Sequence, residues 1–260
     1  MRRKVEGIVR DLGAKLLEWR PTVEVQWEGT HLKADADRRA HDYLCQALDA
    51  LSPGVPVLSE EAPWPEIRPD TYWLIDPIDG TASYVEGYEG WVTQVALMVD
   101  GWPRASWVYA PETDELWTAL EGCGARRNGT RLRVNPHTGT VIDNTPGPSP
   151  ELTDAMLSLG LPWYKVSGSL GLKLCRVADG TASLFVKDVE VKDWDLAPGC
   201  LILKEAGGYL SNRAGSMIWY GGEPNIRGLI ATASHELHTK FRIWDGGRGR
   251  DTYPTETCNE

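Results

Sequence analysis

The chain has 260 residues, is 42% hydrophobic and 25% charged, and carries a formal net charge of −10. That balance suits a globular protein with a full core. It argues against a nucleic-acid polymer as partner, because such proteins neutralise phosphates with an excess of lysine and arginine. No run of about 18 apolar residues occurs, so no helix is expected to span a membrane, and the basic Met1-Arg2-Arg3-Lys4 is followed by no apolar leader core. The five cysteines (Cys45, Cys123, Cys175, Cys200, Cys258) are scattered, odd in number and form no CxxC pair. This pattern points to reduced thiols in a cytoplasmic protein.

In chain order, Val5, Ile8, Val9, Leu12, Leu16 and Trp19 form a helical stripe over residues 2 to 19, ended by Pro21. An acidic stretch, Thr30 to Asp37, leads into a second helix running to about Ala50, with Ala40, Tyr43, Leu44, Ala47, Leu48 and Leu51 on one face. Asp35 reads as its N-cap and Asp37 as a first-turn acid favoured by the helix dipole. Val55 to Leu58 is a short strand running into Ser59-Glu60-Glu61, and an acidic doublet after a strand is ordinarily solvated loop. Tyr72 to Ile75 reads as a buried strand that Asp76-Pro77 breaks. Asp76 and Asp79 then lie together at the C-terminal edge of a sheet, where α/β proteins bind ligands; the alternative is a polar turn capping a helix.

Trp91 to Asp100 alternates as a strand, Gly101-Trp102-Pro103 turns it, and Ala105 to Tyr109 returns. Leu116 to Leu120 and the Asn128-Gly129 step extend this antiparallel meander, Asn-Gly being a strong hairpin signal. Near Asn135 to Thr140 the meander gives way to alternating strands and helices, which predicts sub-domains of residues 1–138 and 139–260. The second holds a strand at Thr140 to Asp143, a helix at Glu151 to Leu159 and a helix opened by Gly168 to Lys173 and ending at Ala178. A strand at Thr181 to Val186 follows. The next helix has Asp195 at its N-cap, Pro198 in its first turn and Gly207-Gly208 at its end. Arg227 to Thr232 is a last buried strand and Glu236 to Trp244 a last helix, on which His235 and His238 read as a solvent-facing pair. The Gly-rich tail from Asp245 to Glu260 is expected to be loose. There is no internal repeat. The fold class is α/β (α+β).

Three acidic clusters therefore stand at strand ends or helix starts: Glu60-Glu61, Asp76 with Asp79, and Asp195. Carboxylates gathered in one place repel unless a proton or cation sits among them, and hard divalent cations take oxygen ligands. The direct physical reading is a Mg²⁺ site with more than one ion, able to bind phosphoryl oxygens, activate a water and stabilise a leaving oxygen. Gly80-Thr81 adds backbone amides that can approach an anion, with a hydroxyl beside them. An acidic protein could thus take an anionic substrate.

Asp76-Pro77-Ile78-Asp79-Gly80-Thr81 resembles the D-P-[IL]-D-G-T signature of the inositol monophosphatase superfamily. Ser59-Glu60-Glu61 resembles its G/S-E-E element, Trp194-Asp195-Leu196-Ala197-Pro198-Gly199 its W-D-x-A-[AP]-[GA] element, and Ala36-Asp37 its T-x-A-D element, in the same order over nearly the whole chain. The resemblance implies a layered αβαβα sandwich with two or three Mg²⁺ ions between the sub-domains. It implies Glu60, Asp76, Asp79, Asp195 and the Ile78 carbonyl as metal ligands, with Asp37 and Thr81 orienting or deprotonating the attacking water. Gly80, Thr81 and Ala82 would hold the phosphate through their amides. Glu61 is left as a loop residue. The upstream threonine is replaced by Asp35, which leaves Asp35 as the alternative to Asp37 at the site. Lithium inhibition is also implied. Members of such a family are often dimers, and nothing in this sequence marks an interface.

Within that superfamily, Val55-Pro56-Val57-Leu58-Ser59-Glu60-Glu61 and Val108-Tyr109-Ala110-Pro111 resemble the 3′(2′),5′-bisphosphate nucleotidases. So does Gly168-Ser169-Leu170-Gly171-Leu172-Lys173, where Ser169 would bind substrate and Lys173 would neutralise a second phosphate; the alternative is a solvated lysine on a helix face. Ala82-Ser83-Tyr84 departs from the nucleotidase pattern. Asp188, seven residues before Asp195, stands where inositol phosphatases place a hydroxyl-binding acid, so an inositol or sugar phosphate stays open. A non-catalytic phosphate-ligand binding protein is the reading from a different class. The favoured reading is a metal-dependent phosphoric monoester hydrolase for a small soluble phosphate ester.

Overall fold

In the computed structural model, which describes residues 1–28, 31–222 and 224–246, two helices open the chain on one side of a large sheet. They are α1 (Arg2–Trp19) and α2 (Asp35–Leu51), separated by a hairpin of β1 (Val25–Glu28) and β2 (His31–Ala34). Val5, Val9, Leu12 and Leu16 of α1 are buried, a spacing that keeps them on one face, and Ala40, Leu44 and Leu48 do the same for α2.

The large sheet has seven strands in sequential order. They are β3 (Val57–Ser59), β4 (Thr71–Asp79), β5 (Val92–Val99), β6 (Trp102–Ala110), β7 (Glu115–Leu120), β8 (Gly124–Arg127) and β9 (Thr130–Arg131). Only β3 pairs in parallel; the rest form the antiparallel meander. A short helix, α3 (Thr81–Glu86), joins β4 to β5. Alternate residues of β4 face opposite layers: Trp73 and Ile75 pack with α1 and α2, Tyr72 and Leu74 with the layer behind.

The second sheet has five strands in the order β11-β10-β12-β14-β13. These are β10 (Thr140–Asp143), β11 (Trp163–Val166), β12 (Leu184–Lys192), β13 (Tyr209–Ser211) and β14 (Asn225–Thr232). Between the two sheets lie α5 (Leu170–Ala178) and α6 (Asp193–Glu205), buried on most sides. Helices α4 (Pro150–Leu159) and α7 (His235–Gly246) cover the far face through Ala155, Met156, Leu237 and Phe241. The stack is therefore the layered αβαβα sandwich. One continuous core runs from Leu74 through α5 and α6 to Phe185, joining the two sheets.

Several local expectations are corrected. Strand β4 does not stop at Asp76-Pro77 but continues to Asp79 past a bulge, because Asp76 pairs with Gln94 and Asp79 with Val92. Pro77, which has no N–H, sits in the bulge where no ladder bond is needed, and its carbonyl accepts from the Thr93 hydroxyl at 2.9 Å. The turn before β6 ends two residues early, at Gly101, because Trp102 and Pro103 already belong to the strand. The strand expected at Thr181 to Val186 is Leu184–Lys192. Helix α6 starts at Asp193, so Asp195 is its third residue rather than its N-cap and Pro198 falls in the second turn. Likewise α2 starts at Asp35, with Ala34 as N-cap. His238 is buried, not solvent-facing, and its Nε2 lies 2.8 Å from the Ser211 hydroxyl. Asp245 and Gly246 belong to α7; residues 247–260 of the expected loose tail lie outside the described residues.

Candidate active site

Asp76, Asp79 and Asp195 each turn a carboxylate oxygen to one place, all within 4.8 Å of one another. The bulge in β4 brings the first two together. Asp76 Oδ1 accepts from the Ile78 amide at 3.1 Å, which bends the chain back over the side chain, while Asp76 Oδ2 is buried and has no hydrogen-bond partner. Asp79 Oδ2 accepts from Gln94 Nε2 at 2.9 Å and from the Gly171 amide at 2.8 Å, at the start of α5. Asp195 Oδ2 accepts from the Lys192 amide at 3.1 Å.

Burial is the largest influence on all three carboxyls and pushes each above the usual carboxylate range. Neighbouring charges add to it: Glu60 is the strongest on Asp76, and Asp79 the strongest on Asp195. Asp79 reaches only about 6, because the Gly171 amide, the Lys173 ammonium and the Ser169 hydroxyl oppose its burial. A buried carboxylate oxygen without a donor, inside a group of mutually repelling acids, fits a hard divalent cation and little else. Glu60, half-buried at the end of β3, faces the same group.

Asp37 lies on the buried stripe of α2, three residues before Ala40. Its Oδ2 accepts from the Ala34 amide at 2.8 Å and its Oδ1 meets the Thr81 hydroxyl at 3.2 Å. The same hydroxyl is 3.2 Å from the Ile78 carbonyl oxygen. Asp35 points the other way: it accepts from the Glu24 amide at 3.0 Å and lies 3.6 Å from Arg39 on the surface. The two aspartates are thereby distinguished, and Asp37 is the one beside the acidic group.

Gly80 precedes α3 with φ +99°, a left-handed conformation that suits glycine, and a Cβ there would press on Trp91 and Ser169 at 3.3 Å. It opens onto a cavity of about 600 Å³ lined also by Ala82, Tyr88, Glu89, Lys165 and Ser169. The first-turn amides of α3 have no partner within the helix. Across the cavity the chain crosses itself at a seam of two glycines: the Ser169 amide donates to the Gly90 carbonyl at 2.6 Å, and a Cβ on Gly168 would lie 2.0 Å from that oxygen.

Two substrate residues expected from sequence are placed elsewhere. Lys173 does not line the cavity and is no solvated lysine; it is 3% exposed, and its Nζ donates to the Gly168 carbonyl at 2.6 Å. Burial lowers its pKa to about 8, against the pull of Asp79. Asp188 lines a different depression of about 190 Å³ beside α4 and α7 and lies 3.8 Å from Arg213. Ser169 does line the cavity, where its hydroxyl also caps α5 by accepting from the Leu172 amide at 3.3 Å. Gln94, which holds Asp79, carries no signal in the sequence: within an alternating strand it reads as an ordinary polar position.

Residues 9–242 match the family model described as the inositol monophosphatase family. Among curated relatives, "Inositol monophosphatase 3" of Solanum lycopersicum is 30% identical over 235 residues, covering 82% of this chain and 84% of its own. The "3'(2'),5'-bisphosphate nucleotidase CysQ" of Salmonella typhimurium is 33% identical over 195 residues, covering 71% of this chain and 78% of its own. Among solved structures, the suhB protein of Bartonella henselae superposes with a TM-score of 0.79 at 25% identity, over 95% of this chain and 98% of its own.

Proposed function

The chain belongs to the inositol monophosphatase family and is a phosphoric monoester hydrolase, and from that premise we propose that it hydrolyses a 3′(2′),5′-bisphosphate nucleotide, adenosine 3′,5′-bisphosphate to AMP. The observation that carries the chemistry is the meeting of Asp76, Asp79 and Asp195 within 4.8 Å, around a buried Asp76 oxygen with no donor. Glu60, Asp76, Asp79, Asp195 and the Ile78 carbonyl would hold two or three Mg²⁺ ions. Bound there, Mg²⁺ would supply an activated water and neutralise charge on the phosphoryl and leaving oxygens.

The chain's own groups do the rest. The amides of Gly80, Thr81 and Ala82 receive the phosphoryl oxygens, because a glycine start to α3 leaves them open. The Thr81 hydroxyl takes a proton from the attacking water as it passes its own to Asp37 Oδ1, 3.2 Å away. Asp37 keeps its orientation through the Ala34 amide. Among the described residues no Cys or Ser stands in a nucleophile arrangement, and water attacks directly. Ser169 meets the substrate body from the far wall of the cavity.

The nucleotide reading is supported by the motif run from Val55 to Glu61 and by the bisphosphate nucleotidase relative. An inositol monophosphate is the second reading, favoured by the tomato relative, which covers more of the chain. Turnover of adenosine 3′,5′-bisphosphate, inositol 1-phosphate, fructose 1,6-bisphosphate and histidinol phosphate with Mg²⁺ separates the two. The nucleotide is expected to rank first in kcat/KM; ranking last would remove that reading.

A further inference from the structure

Glu60 sits on the loop after β3, and Asp195 in the first turn of α6, 135 residues later in sequence by subtraction of their numbers. A metal centre that draws ligands from both requires the loop and the helix to keep a fixed separation. The flanking residues are joined by a buried latch. Arg68, on the same loop, donates through Nη1 to Asp193 Oδ2 at 2.5 Å and to the Tyr220 carbonyl at 2.5 Å. The two side chains are 9% and 1% exposed. The Arg68 guanidinium lies 4.6 Å from the Trp64 ring centre, and Trp64 in turn lies 5.2 Å from the ring of Trp194. Trp64 Nε1 donates to the Ser59 carbonyl at 2.9 Å. Contacts thus run without a gap from the backbone beside Glu60 to the two residues that precede Asp195.

As a device for stability this latch is poorly made. A buried ion pair seldom outperforms an apolar pair of similar volume, and here Arg68 Nη2 and Asp193 Oδ1 are both buried without a hydrogen-bond partner. As a constraint on distance it is well made, with a planar guanidinium fixed by a carboxylate, a carbonyl and a ring. We infer that Arg68 and Asp193 are positioning residues that hold Glu60 and Asp195 at the separation needed on the two sides of one divalent-metal centre. The inference rests on the metal reading of the acidic group.

The test is calorimetric Mn²⁺ binding, read beside the melting temperature of the metal-free protein. Arg68→Met combined with Asp193→Leu exchanges the ionic latch for an apolar contact. The melting temperature should stay close to that of the parent while Mn²⁺ affinity falls about tenfold or more, the usual cost of losing support behind metal ligands. Parental affinity in the double variant would overturn the inference. Should that variant not fold, Arg68→Lys keeps the charge and loses the planar fork; it should weaken Mn²⁺ binding, and parental affinity there would overturn the inference equally. A parent protein that binds no Mn²⁺ would instead remove the metal reading, and the latch with it.

Discussion

Asp37 and Asp195 occupy the same place in two unrelated helices. Each is the third residue of its helix, and each carboxylate reaches back to the amide three residues earlier, at 2.8 Å from Ala34 and 3.1 Å from Lys192. One oxygen satisfies a helix start, which fixes the side chain, and the carboxylate is left oriented toward the site.

That double duty separates two substitutions. Asp195→Asn keeps an oxygen for the Lys192 amide and removes the charge; Asp195→Ala removes both. The asparagine variant should lose about two orders of magnitude or more in kcat while its metal-free melting temperature is held or raised, since a repelling charge has gone. The alanine variant should be as inactive and also less stable by about 1 kcal/mol. Activity assays and thermal melts of the two proteins check this.

Metal binding should release protons at mildly acid pH. Asp79 titrates at about 6 in the metal-free protein, raised by burial, and Asp76 and Asp195 are raised as well. A carboxyl with a folded pKa above its unfolded value holds its proton in the native state where the unfolded chain has lost it. Its contribution to stability is full at low pH and is lost as pH rises through the folded pKa. The metal-free protein should therefore lose this stability as pH climbs from about 4 through about 6, and Mg²⁺ should restore it. Mg²⁺ titrations at pH 6 in buffers of different ionisation enthalpy should show proton uptake by the buffer, with affinity increasing as pH rises.

Gln94 ought to matter to the chemistry although it touches no substrate. It gives Asp79 one of its donors. Gln94→Leu should weaken Mn²⁺ binding by about tenfold to a hundredfold, and Gly171→Ala should act in the same direction, because its Cβ would lie 2.2 Å from Gln94 Oε1. Calorimetric affinities of both variants near the parent value would show that Asp79 is held without Gln94.

Lys173 is expected to serve every substrate alike. Its ammonium is tied to the Gly168 carbonyl and does not reach the cavity. Lys173→Met should lower stability by about 1 to 3 kcal/mol and reduce kcat/KM for adenosine 3′,5′-bisphosphate and adenosine 3′-monophosphate by similar factors. A loss confined to the bisphosphate would show that the lysine reaches the second phosphate.

Much of the fold was legible because its signals are short-ranged. The stripe from Val5 to Leu16 and the Asn128-Gly129 hairpin depend on neighbours a few residues away, and both are present. The choice between Asp35 and Asp37 was also within reach: Asp37 shares its helical face with Ala40, Leu44 and Leu48. The bulge in β4 was not legible, because a proline in a strand is tolerated only when a partner such as Thr93 takes over locally. Lys173 misled for a similar reason: its position on the helix says nothing of the Gly168 carbonyl that folds over it. The latch from Arg68 to Asp193 spans 125 residues and has no periodicity to betray it.

The seam between Gly90 and Gly168 bears on how such a protein changes its diet. Where backbone lies on backbone, with the Ser169 amide 2.6 Å from the Gly90 oxygen, no side chain can be added without driving the two halves apart. That wall of the cavity is thus closed to mutational drift. Tyr88, Glu89 and Lys165 at the mouth carry side chains in open surroundings and can be exchanged one at a time. A saturation library aimed at those three positions would explore new phosphate esters with the hydrolytic apparatus intact, whereas one aimed at the glycines would mostly return unfolded chains.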